Sequence, residues 1–267
     1  QVHITTLDQT GQLPGFDYSI VMGNEVLPNI PGKALRNFFI CQFPFPVAKE
    51  VLADRWDYLE GYEKVIVYSK YAEKHYRSTL NNLGATPSPV TVVSPPVGMH
   101  PLALPPQKRP IIIGVGRFFV GGHTKRQDLM IEAFRKLVEL FPTAELHLAG
   151  SLPAEAEHRA YYSDLQKKAL GLPVFFHLNV PPKDLSNLYA EASLYWHLSG
   201  FGVDEAVAPH QCEHFGITVV EAMTAGCIPL VVKRGGPPAI IEEGTTGYSF
   251  ESLNELVNLS VQILTEP

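Results

Sequence analysis

Residues 110–150 read PIIIGVGRFFVGGHTKRQDLMIEAFRKLVELFPTAELHLAG. A short apolar run, Pro110 to Gly114, leads into a glycine-bearing loop, Gly114-Val-Gly116-Arg117 and then Gly121-Gly-His-Thr-Lys125. From Lys125 to Phe141, the residues Leu129, Met130, Ala133, Phe134, Leu137, Val138 and Phe141 recur at the 3.6-residue period of a helix. A second apolar run follows at Ala144 to Ala149. Strand, helix and strand in this order make a β-α-β unit, and its short apolar runs suit strands buried on both faces of a parallel sheet.

The alternation continues downstream. Helices are expected over Glu155–Leu170, Asp184–Glu191, Gly216–Ala225, Pro237–Glu243 and Ser252–Leu264. Further strands are expected at Val174–His177, Ser193–Leu198 and Ile228–Val232, and Gly226 stops the helix before the last of them. Five strands with intervening helices predict a doubly wound, Rossmann-like domain. Upstream, strands are expected at Tyr18–Met22, Asn37–Cys41, Lys64–Tyr68 and Val90–Val93, with a helix over Ala48–Trp56. A second helix runs to Leu83 from an N-cap at Ser69, with Glu73 near the capping-box position and Gly84 as its stop. Between the two series, Ser94 to Pro106 holds five prolines and no charge. Such a stretch continues neither a helix nor a central strand. It divides the chain into residues 1–107 and 108–267, the alternative being a long surface loop within one domain.

The 267 residues are 45% hydrophobic and 18% charged, so a sizeable core is available and wholesale disorder is excluded. Lys and Arg total 21 against 27 Asp and Glu, a net charge of −6. With no basic block, nucleic acid and bulk anionic membrane are poor partners, and any positive site must be local. Three cysteines, without a C-x-x-C pair, argue against a disulfide framework and fit a reducing, cytoplasmic setting. No apolar run is long enough to span a bilayer and no signal peptide is seen. The first residue is Gln rather than Met, so the expectation is a fragment or a processed product.

Glu213-His-Phe-Gly-Ile-Thr-Val-Val-Glu221 sets two carboxylates eight positions apart around a turn into a helix. Eight helical residues rise about 12 Å, too far for the pair to share a proton, so this is not a paired acid/base site of the glycosidase kind. Between them, Phe215, Gly216, Ile217 and Thr218 present the unsatisfied N–H groups of a helix start, a setting that favours anions. Gly216 removes the Cβ that would block close approach. Carboxylates for hydroxyls and a helix end for phosphates describe a sugar–diphosphate–ribose ligand. The plainer reading makes Glu213 a first-turn carboxylate and Glu221 a solvated one. Gly116, Arg117 and Lys125 follow a strand, where ligands of open α/β sheets bind, and two cations there would neutralise a diphosphate. The glycines match neither G-x-G-x-x-G, since Phe119 stands at the third position, nor a P-loop. The plainer reading is two surface cations beside turn glycines.

Together these segments resemble the retaining glycosyltransferases of family 4, which have the GT-B fold of two Rossmann-like domains with parallel sheets. The resemblance runs from about Pro110 to Phe250. It implies that Gly116, Arg117 and Lys125 hold the donor diphosphate, that Glu213 contacts the transferred sugar, and that Glu221 contacts the ribose. It also implies that the N–H groups from Phe215 to Thr218 face sugar and diphosphate, with His214 counted on the donor side. Asn179-Val180-Pro181 lies where relatives seat the base. His197 touches the donor sugar by resemblance, or is a hydrogen-bonded core histidine. Trp196 to Pro238 is most similar to the α-1,2-mannosyltransferases that extend lipid-linked oligosaccharides, through Glu-His-Phe-Gly-Ile, Ala225 to Leu230, and Gly235-Gly-Pro237. Similar segments occur in bacterial members of other specificity. Residues 35–98 resemble the latter part of the N-terminal domain, which is expected to be incomplete. Gln42 stands where relatives often carry His.

The implied reaction moves a hexose, with mannose from GDP-mannose as one such donor, to a glycan or lipid-linked acceptor with retention at the anomeric carbon. Arg117, Lys125 and the helix end would stabilise the leaving diphosphate. No D-x-D occurs, and no divalent metal or other cofactor is expected. The expected setting is cytoplasmic, on the cytosolic face of a membrane if a segment outside this chain docks there. Two other readings compete. His210-Gln-Cys-Glu213-His214 spells the inverted zinc-protease motif, although Pro209 interrupts any helix that would present it. A non-catalytic nucleotide-sugar or glycan-binding module would keep the same fold. Asp204 and Glu205 either border the sugar or are solvated, Cys212 is expected to be a buried inert thiol, and Glu242-Glu243 a solvated helix end.

Overall fold

The computed structural model describes residues 15–45, 55–84, 89–98 and 107–265. The chain divides after Ser94 into two compact units. The boundary read near Gln107 lies at the other end of the same proline-bearing segment, whose residues 99–106 fall outside the described ones.

In the first unit, β1 (Phe16–Gly23), β2 (Ala34–Cys41), β3 (Lys64–Val67) and β4 (Val90–Val92) form a parallel sheet in the order β1-β2-β3-β4. Among the described residues two helices accompany it, α1 (Trp56–Glu60) and α2 (Lys70–Leu83). Most of the helix expected over Ala48–Trp56 lies outside the described residues. Ser69 caps α2, its Oγ accepting the Ala72 N–H at 3.0 Å, and Gly84 ends it at φ +80°. Glu73 makes no capping box and instead pairs with Lys70 at 2.8 Å and Arg77 at 2.9 Å.

Parallel strands laid down in one direction, with right-handed crossovers, put their connections on one face of the sheet. Phe39, Val65 and Val67 accordingly pack with Ala72, Tyr76 and Leu80 of α2. The other face carries Phe16, Tyr18, Ile20 and Met22, each 47–66% exposed. The two faces should respond differently to substitution. Phe39→Ala is expected to cost about 3–5 kcal/mol, and Ile20→Lys no more than about 0.5 kcal/mol, read as shifts of the urea midpoint. Comparable losses would mean that the Ile20 face is covered in solution.

The second unit holds β5 (Arg109–Val115), α3 (Gln127–Leu140), β6 (Glu145–Gly150), α4 (Ala156–Lys168), β7 (Val174–Leu178), α5 (Pro182–Glu191), β8 (Ala192–His197), α6 (Ile217–Thr224), β9 (Ile228–Val232), β10 (Tyr248–Phe250) and α7 (Leu253–Thr265). Its parallel sheet runs β10-β9-β8-β5-β6-β7. It therefore has six strands where five were expected. The missed β10 is three residues long, too short for its period to show. The helix expected over Pro237–Glu243 is only a 3-10 turn, Pro237–Ala239. The Glu242 N–H, which would propagate it, instead donates to Thr246 Oγ1 at 2.8 Å, and Glu243 pairs with Gly247 in a parallel bridge.

Helices cover both faces. Ile112, Leu146, Leu148 and Trp196 pack with Met130, Phe134 and Leu137 of α3, Leu165 of α4, and Leu256 and Val257 of α7. On the other side, Ile111, Ile113, Tyr195 and Val231 pack with Tyr189 of α5 and with Val219 and Ala222 of α6. The amphipathic stripe read on α3 is core as expected. The half-buried Lys108 donates its ammonium to Tyr189 O at 3.1 Å and Ala225 O at 2.7 Å, joining the C-terminal ends of α5 and α6.

Candidate functional site

The sheet of the second unit grows outward from β5 through β6 to β7, and then from the other side of β5 through β8, β9 and β10. The reversal opens a crevice at the carboxyl ends of β5 and β8, where ligands of such sheets bind. Two loops leave from those ends. Residues 116–126 follow β5 and residues 198–216 follow β8.

The first loop presents Lys125. A helix starting at Lys125 was expected, but α3 begins at Gln127, and Arg126 takes a left-handed conformation at φ 54°. Such a conformation costs a non-glycine residue of the order of 1 kcal/mol. Its neighbours offset it. The Arg126 guanidinium donates to Phe201 O at 3.1 Å and to the Asp128 carboxylate at 3.2 Å. The buried Gln127 amide donates to Gly116 O at 3.3 Å and Arg117 O at 3.1 Å. Lys125 is thus released from the helix, and its stem crosses Gly116. A Cβ at 116 would stand 2.5 Å from Lys125 Cγ.

The Lys125 ammonium meets the Glu213 carboxylate in a short ion pair. The side chains are 17% and 20% exposed. His197 Nε2 lies 3.8 Å from the same oxygen, beyond hydrogen-bond length. His197 is 2% exposed, and neither ring nitrogen has a hydrogen-bond partner among the described residues. Burial pushes the Glu213 carboxyl up, but the Lys125 ammonium outweighs it and holds the group well below the usual carboxylate range. Burial also lowers the pKa of His197, which keeps its imidazole neutral beside the pair. His123 is lowered too, by burial first and then by the Lys125 charge.

Beyond Glu213 the chain turns into α6 through Gly216 at φ +107°, a conformation that favours glycine. No side chain caps this helix. The backbone N–H groups of Phe215, Gly216, Ile217 and Thr218 have no hydrogen-bond partner among the described residues. They form an open helix mouth immediately after the Lys125–Glu213 pair. Glu213 itself is outside the helix, so only Glu221 of the two carboxylates is helical. Glu221 accepts the Tyr189 hydroxyl at 3.1 Å, and the Tyr195 hydroxyl bonds Thr218 Oγ1 at 2.7 Å. Burial first, then the neighbouring Tyr195 and Glu221 charge, raises the Tyr189 phenol well above its ordinary pKa, so it stays a donor.

The structure therefore brings Gly116, Lys125, His197 and Glu213 together next to Phe215, Gly216, Ile217 and Thr218. Arg117 is different. It is exposed, and its guanidinium lies 4.8 Å from the centre of the Phe119 ring rather than on the carboxylate that holds Lys125. The His214 ring stands 5.8 Å from that of His123. Val180 follows Asn179, which is left-handed at φ 52° and donates its N–H to Gly150 O at 3.0 Å at the end of β7.

The zinc reading fails on geometry. His210 sits in a 3-10 turn, Pro209–Gln211, while His214 precedes α6, so no helix presents both rings. Among the described residues no group of His, Cys, Asp or Glu could hold a metal ion. Cys41, Cys212 and Cys227 are buried, and none forms a disulfide among the described residues. No helix among the described residues is long and apolar enough to cross a membrane. Gln42 donates to the Tyr68 hydroxyl at 3.3 Å. Glu205 was read as sugar-bordering or solvated, yet its carboxylate accepts the Gly235 N–H. Glu243 accepts the Ser249 N–H at 3.1 Å rather than being merely solvated. The hydroxyls of Tyr189 and Tyr195 were also missed, although a tyrosine between Leu194 and Trp196 in a buried strand signals a partner for its O–H.

The family described as "Glycosyl transferases group 1" matches residues 101–266. Among curated proteins, the sulfoquinovosyl transferase SQD2 of Arabidopsis thaliana is 28% identical over 146 residues, 54% of this chain and 24% of that protein. The GDP-Man:Man(3)GlcNAc(2)-PP-Dol alpha-1,2-mannosyltransferase of Xenopus laevis is 32% identical over 167 residues, 58% of this chain and 31% of that protein. This chain therefore spans about a quarter to a third of the length of these relatives. Among solved structures, that of TarM superposes with a TM-score of 0.69 at 17% identity, covering 96% of this chain and 49% of that one. The fold is the GT-B-like α/β arrangement that the resemblance implied.

Proposed function

Because this chain belongs to the group 1 glycosyl transferases, we propose that it transfers a hexose from a nucleoside-diphosphate sugar to a glycan or lipid-linked acceptor, with retention at the anomeric carbon. The observation that carries this reading is the Lys125–Glu213 pair set against the unpartnered helix mouth at Phe215–Thr218, at the reversal point of the sheet. Mannose from GDP-mannose is the donor to test first, since similar proteins include mannosyltransferases named for that donor.

The donor diphosphate would rest on the helix mouth, within reach of the Lys125 ammonium. Arg117, exposed over Phe119, would swing onto the outer phosphate. Glu213 would accept a hydroxyl of the transferred sugar beside His197 and His214, Glu221 a ribose hydroxyl, and the backbone at Asn179–Val180 would face the base. In the transfer, the bond from the anomeric carbon to the β-phosphate oxygen breaks and a bond to the acceptor oxygen forms on the same face. The acceptor's proton passes to the departing phosphate oxygen, so no protein base is needed. Lys125, Arg117 and the oriented N–H groups hold the charge that grows on the leaving group, and no divalent ion is required.

A thermal-shift screen of GDP, UDP and ADP with their sugars tests binding, and release of the nucleoside diphosphate with and without a chelator tests turnover. A raised melting temperature with chelator-insensitive release is expected for one nucleotide. Binding without transfer or hydrolysis would mark a non-catalytic binding module. No shift with any nucleotide would overturn the proposal.

A further inference from the structure

Between β8 and α6 the chain makes an excursion, residues 198–212, that is far longer than a turn needs. It is built from successive self-supporting turns. Phe201 N–H donates to Leu198 O at 3.0 Å, Val203 N–H to Gly200 O at 3.0 Å, Ala208 N–H to Asp204 O at 2.8 Å, and Gln211 N–H to Ala208 O at 3.0 Å. Asp204 Oδ1 accepts the Ala206 N–H at 2.9 Å, which places Glu205 at the tip of a closed turn.

Three ties fasten this excursion to the walls of the site. Ser199 Oγ donates to His123 O at 3.3 Å, and Arg126 donates to Phe201 O at 3.1 Å, both beside Lys125. The third tie leads to Glu213. The half-buried Glu205 carboxylate accepts the Gly235 N–H, and the next residue, Gly236, donates its N–H to Glu213 O at 2.8 Å. The 235–236 turn lies hard against the main chain of the site. A Cβ at Gly235 would stand 2.3 Å from Glu213 O, and one at Gly236 would stand 2.2 Å from His214 O. The placement of this turn therefore decides where the Glu213 backbone sits, and Glu205 is the side chain that holds the turn.

We propose that Glu205 is a positioning residue for Glu213: through Gly235 and Gly236 it fixes the main chain from which the Glu213 carboxylate reaches Lys125. A carboxylate suits this task because a hydrogen bond from N–H to an ionised acceptor is shorter and stronger than one to a neutral acceptor. Glu205 touches neither Lys125 nor the helix mouth and acts only through the backbone. Its consequence for turnover rests on the transfer reading above, but its geometric role does not.

The test compares Glu205→Ala, which removes the acceptor, with Glu205→Gln, which keeps a neutral one. Amide hydrogen exchange is read on a peptide covering 233–237, where the Gly235 N–H meets Glu205 and the Gly236 N–H meets Glu213 O. In Glu205→Ala this peptide is expected to exchange about tenfold faster at both amides, while peptides from α3 and β6 are unchanged; Glu205→Gln should recover most of the protection. If wild type turns over a nucleoside-diphosphate sugar, Glu205→Ala should lower kcat about tenfold or more with little change in the donor KM, because Glu213 is misplaced rather than removed. Unchanged exchange of the Gly236 amide, the one that reaches Glu213 O, in Glu205→Ala would overturn the proposal, as would wild-type kcat in a variant whose exchange had changed. Should wild type bind and turn over no nucleotide sugar, the transfer reading falls and the exchange result alone decides the role of Glu205.

Discussion

Lys125→Ala is expected to lower turnover about 10²–10³-fold, the loss seen when one preorganised group is taken from a developing negative charge. The same change removes the only ammonium paired with Glu213 among the described residues. Removing one partner of a fully buried pair costs about 3–5 kcal/mol. Here both side chains keep some exposure, 17% and 20%, so a loss of about 2 kcal/mol is expected after solvent screening. That deficit should depend on pH. In wild type the carboxyl of Glu213 is held low, so its contribution is present above the unfolded carboxylate range and is lost as pH falls through the folded value. Without the ammonium, burial pushes the carboxyl up and the group protonates more easily, so the gap to wild type narrows from pH 7.5 to pH 5. Urea midpoints at the two pH values, with kcat from nucleotide release, check both effects. A variant with full turnover would remove Lys125 from the mechanism, and a deficit that widens toward pH 5 would show that Glu213 is not the group left exposed to burial.

Gly150→Ala tests the other wall. A Cβ at 150 would stand 2.0 Å from Gly116 O and 3.3 Å from Arg117 N. These are backbone atoms, and the backbone there is pinned from several directions. Gly116 N–H donates to Ala149 O at 2.9 Å, Phe118 N–H to Ser151 O at 2.9 Å, and Asn179 N–H to Gly150 O at 3.0 Å. Relaxation must break one of these bonds or displace the Gly116 loop on which the Lys125 stem rests. A loss of about 3 kcal/mol is expected, together with a fall in turnover. Gly122→Ala is the control. No atom lies within 4 Å of its added Cβ, so its melting temperature should match wild type. If Gly150→Ala melts with wild type, the Gly116 loop is not held as the structure places it.

Much of the fold is legible in the order of residues because the signals are local. The stripe on α3, the Ser69 cap and Gly84 stop of α2, and the strand runs of the second sheet all depend on neighbours within a few positions. Where expectations failed, a longer-range contact or a shortage of residues was responsible. Helix α3 starts two residues late because Gln127 is drawn to Gly116 and Arg117. The stretch after Gly236 forms one turn because Glu242 donates its N–H to Thr246 and Glu243 is drawn into a bridge with Gly247. Arg117 and Lys125 are eight positions apart and look equivalent as cations, yet one lies over Phe119 and the other on Glu213.

Taken alone, the order of amino acids determined the βα alternation, the doubly wound class and the bare helix mouth at Phe215–Thr218, since each arises from propensity and periodicity over a single turn or strand. Tertiary structure alone decided which charges meet. Lys125 and Glu213 are 88 positions apart, and Glu205 and Gly235 are 30 apart. They become neighbours only because β8 inserts beside β5 and the chain after each strand is folded back over the same crevice. Strand order is set by how the faces of helices and sheet fill one core, a property of the whole packed chain that no local pattern encodes.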